Sequence, residues 1–161
     1  MPPNIQRNIE VSCRIGVSHS RPSVIAHRKA VIEIMKSMNV PTSKIKLPEY
    51  FSELRSSQIG VGPFGVGEIT LRDFEIIICG AVLVKPDMGH LETWPDLFEP
   101  GKTYVTHKWD LSDLKDKLST LIDNPDLRIR LAMDAQKIYK DAVSPKGLAN
   151  FAGRLMGIIM T

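Results

Sequence analysis

The feature that most narrows the fold is Ala81-Val-Leu-Val84, four apolar residues between Gly80 and Lys85-Pro86-Asp87. A run without polar alternation predicts a strand covered on both faces, and such strands belong to parallel sheets whose crossover helices pack on either side. Residues 9 to 17 alternate apolar and polar like a half-exposed strand. Ile59, Val61 and Phe64 predict a short strand running into a glycine-rich loop, and Thr103-Tyr-Val-Thr106 predicts another. Helical spacing recurs from Pro22 to Asn39, from Pro48 to Ser57, and from Glu68 to the stop at Gly80, where Leu71, Phe74, Ile77 and Ile78 form the expected apolar stripe. Residues 86 to 102 read as an ordered loop, and helices are predicted over 111–122, 126–142 and 146–159. The Met-rich end, with Met156 and Met160 among Leu155, Ile158 and Ile159, is expected to dock on the core. Strands alternating with helices, then helices alone, predict an α/β fold: a Rossmann-like parallel sheet flanked by helices, with C-terminal helices.

A chain of 161 residues with 43% hydrophobic side chains can bury its own core without a metal or disulfide. An N-terminal segment over 1–20 and one domain over 21–161 are expected. The net charge of +3 has no long Lys/Arg run behind it, which argues against a nucleic-acid partner. Its distribution is uneven: residues 1 to 60 carry nine basic and four acidic side chains, a surface either plainly solvated or turned toward a phosphate-bearing ligand. Cys13 and Cys79 lack metal-ligand spacing, and Cys79 lies in an apolar run. With no targeting pattern and no stretch approaching 18 apolar residues, a cytoplasmic protein that does not span a membrane is expected.

Open parallel sheets bind ligands beyond the carboxyl ends of their strands, where a glycine-rich crossover can present backbone N–H groups to an anion. Gly60-Val-Gly-Pro-Phe-Gly-Val-Gly-Glu68 is in such a place, although it is neither a dinucleotide fingerprint nor a P-loop, and by itself it also reads as a plain turn. On the predicted helix Glu68, Arg72 and Glu75 are spaced i, i+4, i+7 and share a face, the carboxylates about 10 Å apart along the axis. That span suits a nucleotide's ribose and phosphates, or equally a solvated face with a weak Glu68–Arg72 pair. His90 and His107 read as surface or loop residues, and Trp94 and Trp109 as packing residues.

The run from Phe64 to Trp94 resembles the donor-binding, C-terminal half of GT-B glycosyltransferases of the group 1 family. It carries Arg72-Asp-Phe-Glu75, Cys79-Gly80-Ala81, the strand 81–84 and Gly89-His-Leu-Glu92 in the family's order. The likeness continues through Phe98-Glu-Pro-Gly-Lys-Thr-Tyr-Val105 and Ile122-Asp-Asn-Pro-Asp-Leu-Arg128, covering roughly residues 48 to 143.

This resemblance implies that Glu75 accepts hydrogen bonds from donor ribose hydroxyls and that Glu68 takes the place of the family's first glutamate, near the sugar or diphosphate. Six residues separate them where the common family pattern has seven. Gly65 and Gly67 would let backbone amides approach the donor, and Arg72 or Lys85 would neutralise diphosphate charge. The implied function is a glycosyltransferase, or the donor-binding half of one, moving a sugar from a nucleotide-sugar to an unknown acceptor without a metal or other cofactor. A GT-B enzyme has two Rossmann-like halves and this chain has room for one, so the resemblance implies that a partner subunit or a homo-oligomer would complete it. The other expectation is a truncated, non-catalytic nucleotide-binding or protein-interaction module. A response-regulator-like domain is disfavoured, because no acidic phosphoacceptor cluster stands at a strand end.

Overall fold

The computed structural model describes residues 1–160. Its elements run β1 (Ile9–Ser12), α1 (Pro22–Ser37), α2 (Leu47–Arg55), β2 (Ser57–Val61), α3 (Leu71–Cys79), β3 (Val82–Pro86), β4 (Tyr104–His107), α4 (Leu114–Asp123), α5 (Pro125–Ala142) and α6 (Pro145–Ile159). The four strands form one parallel sheet in the order β1-β2-β3-β4, so the α/β fold expected from the apolar run is the observed one.

Period-two alternation sends side chains of each strand to opposite faces. On one face Val11, Ile59, Val61, Val82 and Val84 pack with Val31 and Met35 of α1 and with Leu114, Leu118 and Leu121 of α4. On the other, Ala81, Leu83 and Tyr104 pack with Tyr50 and Leu54 of α2 and Ile76 and Ile77 of α3. Helix α5 serves both layers, with Leu131 and Ala132 in the first and Ala135 in the second. All five residues of β3 are buried, as a central strand requires.

Residues of the segment 1–20 are built into this sheet through β1. Behind it the buried Arg7 guanidinium donates to the carbonyls of Arg55 (2.8 Å), Ser57 (2.9 Å) and Cys79 (2.8 Å), tying the segment to the ends of α2 and α3. Two glycines allow α3 to approach β2 closely. A Cβ on Gly60 would lie 2.5 Å from Ile76 Cγ1, and one on Gly62 would lie 2.7 Å from Asp73 Oδ1. The glycine pattern of 60–62 therefore belongs to the sheet, while the loop proper begins after it.

Three expectations are corrected. Helix α3 begins at Leu71 rather than Glu68, because Thr70 sits at its N-cap in extended conformation and Asp73 Oδ2 accepts the Thr70 N–H at 2.8 Å. Its buried face is Asp73, Ile76 and Ile77, whereas Leu71 and Ile78 of the expected stripe are exposed. Helix α6 does not bury its Met-rich end: Leu155, Met156, Ile159 and Met160 are exposed, and Gly147 is its buried residue. Gly80 does end α3, in the left-handed conformation with φ 80°. The loop before β4 is ordered as expected: Tyr104 accepts the Met88 N–H at 3.1 Å and Thr103 donates to the Leu97 carbonyl at 2.6 Å. Among the described residues no helix is long and apolar enough to cross a membrane.

Candidate functional site

The carboxyl ends of the strands open onto the residues after Ser12, the loop from Gly62 to Thr70, and Lys108-Trp109 after β4. Two cavities lie there. One, of about 300 Å³, is walled by Arg14, Lys44, Tyr50, Arg72 and Glu75 with Gly16 and Leu47. The other, of about 180 Å³, is walled by Arg21, His27, Phe64, Gly65, Gly67, Glu68 and Trp109. Arg28, projected from α1, lies between them: its Nε donates to the Phe64 carbonyl at 2.8 Å and its Nη1 to the Gly16 carbonyl at 2.9 Å.

The structure thus divides the expected site residues. Arg72 and Glu75, three positions apart on α3, share the larger cavity, and Gly65, Gly67 and Glu68 line the smaller. Glu68 stands outside α3, so the single helical face carrying Glu68, Arg72 and Glu75 does not exist. Instead Glu68 lies 3.9 Å from His90 Nε2, both side chains about half exposed. Gly65 N–H is turned to the Gly67 carbonyl at 3.2 Å, so it serves the loop itself. Lys85 is fully buried, its Nζ 3.1 Å from Asp73 Oδ2 and 4.7 Å from the centre of the Phe64 ring.

Glu75 is oriented from α2: Tyr50 OH donates to Glu75 Oε2 at 3.0 Å. Burial and the neighbouring carboxylate push the Tyr50 phenol above its ordinary range, so it remains a donor. Arg72 sits 5.7 Å from the Tyr50 ring centre. Arg14 is held by Glu53, Nε at 2.8 Å and Nη2 at 2.6 Å both donating to Oε2, and Ser12 donates to Glu53 Oε1 at 2.7 Å. Burial and the charge of Arg72 both lower the Arg28 pKa, the sign of cations gathered near one point. Cys13 lies buried in the core within the field of Arg72, Arg14 and Arg28, yet burial still pushes its thiol up to about 12, which keeps it inert.

The smaller cavity is aromatic. Phe64 and Trp109 have ring centres 4.2 Å apart, and His27 lies 6.3 Å from Phe64 and 6.1 Å from Trp109. Trp109 packs on Phe64 as expected, yet it is 52% exposed and its outer side forms an open wall of the cavity. His107 is likewise not a surface residue: it is buried at the end of β4, and its Nδ1 contacts the Lys108 carbonyl at 2.8 Å. Burial holds its pKa below the ordinary imidazole range. Among the described residues no group of three or more His, Cys, Asp or Glu side chains is placed to hold a metal ion.

A family model described as glycosyl transferase-like matches residues 33–149, most of the chain. The chain belongs to this glycosyl transferase-like family. Its fold is similar to that of the C-terminal domain of a glycosyl transferase group 1 family protein from Francisella tularensis, at 15% sequence identity and a TM-score of 0.50. The superposition covers 78% of this chain and 66% of that one, and it agrees with the C-terminal-half fold expected from the motif order. Comparison with curated proteins gives no match.

Within this glycosyl transferase-like chain, Arg14 and Tyr50 of the larger cavity, His27 of the smaller and Arg28 between them are residues that motif reasoning passed over. The signal for the arginines was present in the excess of cations over residues 1–60. Which of those cations converge became visible only once β1, α1 and α3 were brought side by side.

Proposed function

We propose that the chain is the donor-binding half of a glycosyltransferase, and that a nucleoside-diphosphate sugar lies across the two cavities. The observation that carries this is the pairing, at one sheet end, of an oriented carboxylate with a cluster of cations. Glu75, aligned by Tyr50, offers acceptor oxygens to the vicinal hydroxyls of a ribose in the larger cavity. Arg72 and Arg14 line the larger cavity and Arg28 lies between it and the smaller one, where a diphosphate would bridge ribose and sugar. The sugar would then stand beside Glu68, Gly67 and Trp109.

In transfer, the bond between the anomeric carbon and the diphosphate oxygen breaks, the acceptor oxygen bonds to that carbon and releases its hydroxyl proton to the departing diphosphate or to solvent, and negative charge accumulates on the diphosphate as it leaves. Fixed guanidinium groups and the amino end of α3 are suited to stabilise that charge. Lys85, expected to share this task, would act at short range only after the side chains above it move. The acceptor, and the surface that presents it, would come from a second half or partner.

The test compares mono- and diphosphates of one nucleoside in the wild type and Arg72→Ala. Affinity for the diphosphate should fall about tenfold or more in the variant, while the monophosphate changes less. Equal loss for both would place Arg72 away from the diphosphate. A folded chain that binds no nucleotide would leave the protein-interaction module as the better description.

A further inference from the structure

Phe64 rests on polar groups whose hydrogen-bonding capacity is unused. Beneath it, Lys85 is 0% exposed and its ammonium meets Asp73 at 3.1 Å, a contact that occupies at most one of three N–H donors. Asp73 Oδ1, on the same buried carboxylate, has no hydrogen-bond partner. Beside Phe64, both ring nitrogens of His27 are buried without a partner. His107, 2% exposed, directs Nδ1 to the Lys108 carbonyl and so has Nε2 as an acceptor, also without a partner. Buried polar atoms are nearly always satisfied, because a bare one forfeits its hydrogen bonds to water without replacement. Lys85 and His27 lie against one phenyl ring, and His107 is within electrostatic reach of both, which marks the ring as occupying a place built for something polar.

The groups also specify what that polar occupant is. Lys85 donates, His107 Nε2 accepts, and a neutral imidazole at His27 does one of each. A neighbourhood that both donates and accepts suits hydroxyl groups, which do both, better than a phosphate or carboxylate, which only accepts. The aromatic walls, Trp109 and Phe64 itself, suit the apolar faces of a sugar ring.

Building on the donor-site reading above, we propose that Phe64 is a displaceable plug over a sugar niche. When the hexose of a nucleotide-sugar enters the smaller cavity, the phenyl ring swings off Lys85, and ring hydroxyls take its place against Lys85, His27 and His107. Phe64 is placed for such a movement, since it opens the loop after Gly62-Pro63, at the cavity wall, and is held on its solvent side by the half-exposed Trp109.

Lys85 reports the plug directly. In the wild-type chain, acetylation of Lys85 by a small amine-reactive ester is followed by mass spectrometry, and its protection relative to exposed lysines is compared with the hydrogen-exchange protection of the Leu83 amide in β3. A plug that opens locally makes Lys85 at least tenfold less protected than Leu83. Equal protection means that Lys85 is reached only by unfolding, and overturns the inference. UDP, GDP and ADP are then compared with UDP-glucose, GDP-mannose and ADP-glucose. The conjugate of the nucleotide that binds should raise Lys85 protection at least fivefold beyond the diphosphate alone, and Phe64→Leu, which keeps apolar bulk, should raise the ratio of conjugate to diphosphate affinity at least threefold. Conjugate and diphosphate protecting Lys85 equally would overturn the sugar niche while leaving the nucleotide site intact. No nucleotide binding with Lys85 selectively reactive would overturn the donor-site reading and the sugar assignment together.

Discussion

Lys85 Nζ lies 3.1 Å from Asp73 Oδ2, and both side chains are fully buried between α3 and the sheet. The carboxylate also accepts the Thr70 N–H at 2.8 Å, so one side chain both caps α3 and neutralises a cation at the end of β3. Burial acts against both charges, raising the Asp73 pKa and lowering that of Lys85, while their mutual attraction opposes each shift.

Removing either partner leaves the other charge stranded. Lys85→Met or Asp73→Asn is expected to destabilise the fold by about 3–5 kcal/mol, and the double variant by less than the sum. Urea unfolding of the four proteins measures this; additive losses would show that the two charges are not coupled.

Stability should fall on acidification through His107. Burial depresses its folded pKa below the unfolded value, so its contribution is complete above about pH 6.5 and is lost as pH falls through the folded pKa. Unfolding midpoints between pH 7.5 and 5.0 should decline, and His107→Asn, which retains a donor near the Lys108 carbonyl, should flatten the slope. An unchanged slope in the variant would assign the decline to other groups.

Tyr50 positions Glu75 by a single hydrogen bond of 3.0 Å. Tyr50→Phe removes that bond while retaining the ring under Arg72, and should weaken nucleotide binding about fivefold, the scale of one net hydrogen bond. Calorimetry reads the loss; unaltered affinity would mean that Glu75 is held correctly without Tyr50.

The sheet was legible because β3 combines continuous apolarity with firm punctuation at Gly80 and Pro86. Less legible was any residue whose role depends on a distant element. Asp73 looks like an ordinary polar position in a helix, and only Lys85 beneath it explains its burial. Half of the expected stripe on α3 holds, since Ile77 and Phe74 pack on the core, while burial of Asp73 and Ile76 turns the inward face away from Leu71 and Ile78. The N-cap at Thr70 removes Glu68 from the helix, which is why periodicity joined three residues that the fold separates. His107 sits in a strand short enough that alternation gave no sign of its burial. For α6, helical apolar spacing was visible in the sequence, but spacing alone does not say whether a core surface lies opposite, and the apolar side chains at its end are exposed.

Helix α6 accordingly contributes little to the fold through its outer side chains. Met156→Lys and Ile159→Lys, at positions 53% and 67% exposed, should each change stability by no more than about 0.5 kcal/mol. Thermal or urea unfolding checks this; a loss several times larger would mean that these side chains are covered in solution.

The central claim is that Glu75 anchors a nucleotide donor. Its most direct test is calorimetric titration of the chain, and of Glu75→Ala, with UDP, GDP and ADP and their sugar conjugates. Selective binding of one nucleotide, weakened at least tenfold by Glu75→Ala, is the predicted result. Binding that Glu75→Ala leaves intact, or no binding by the folded wild-type chain, would contradict it.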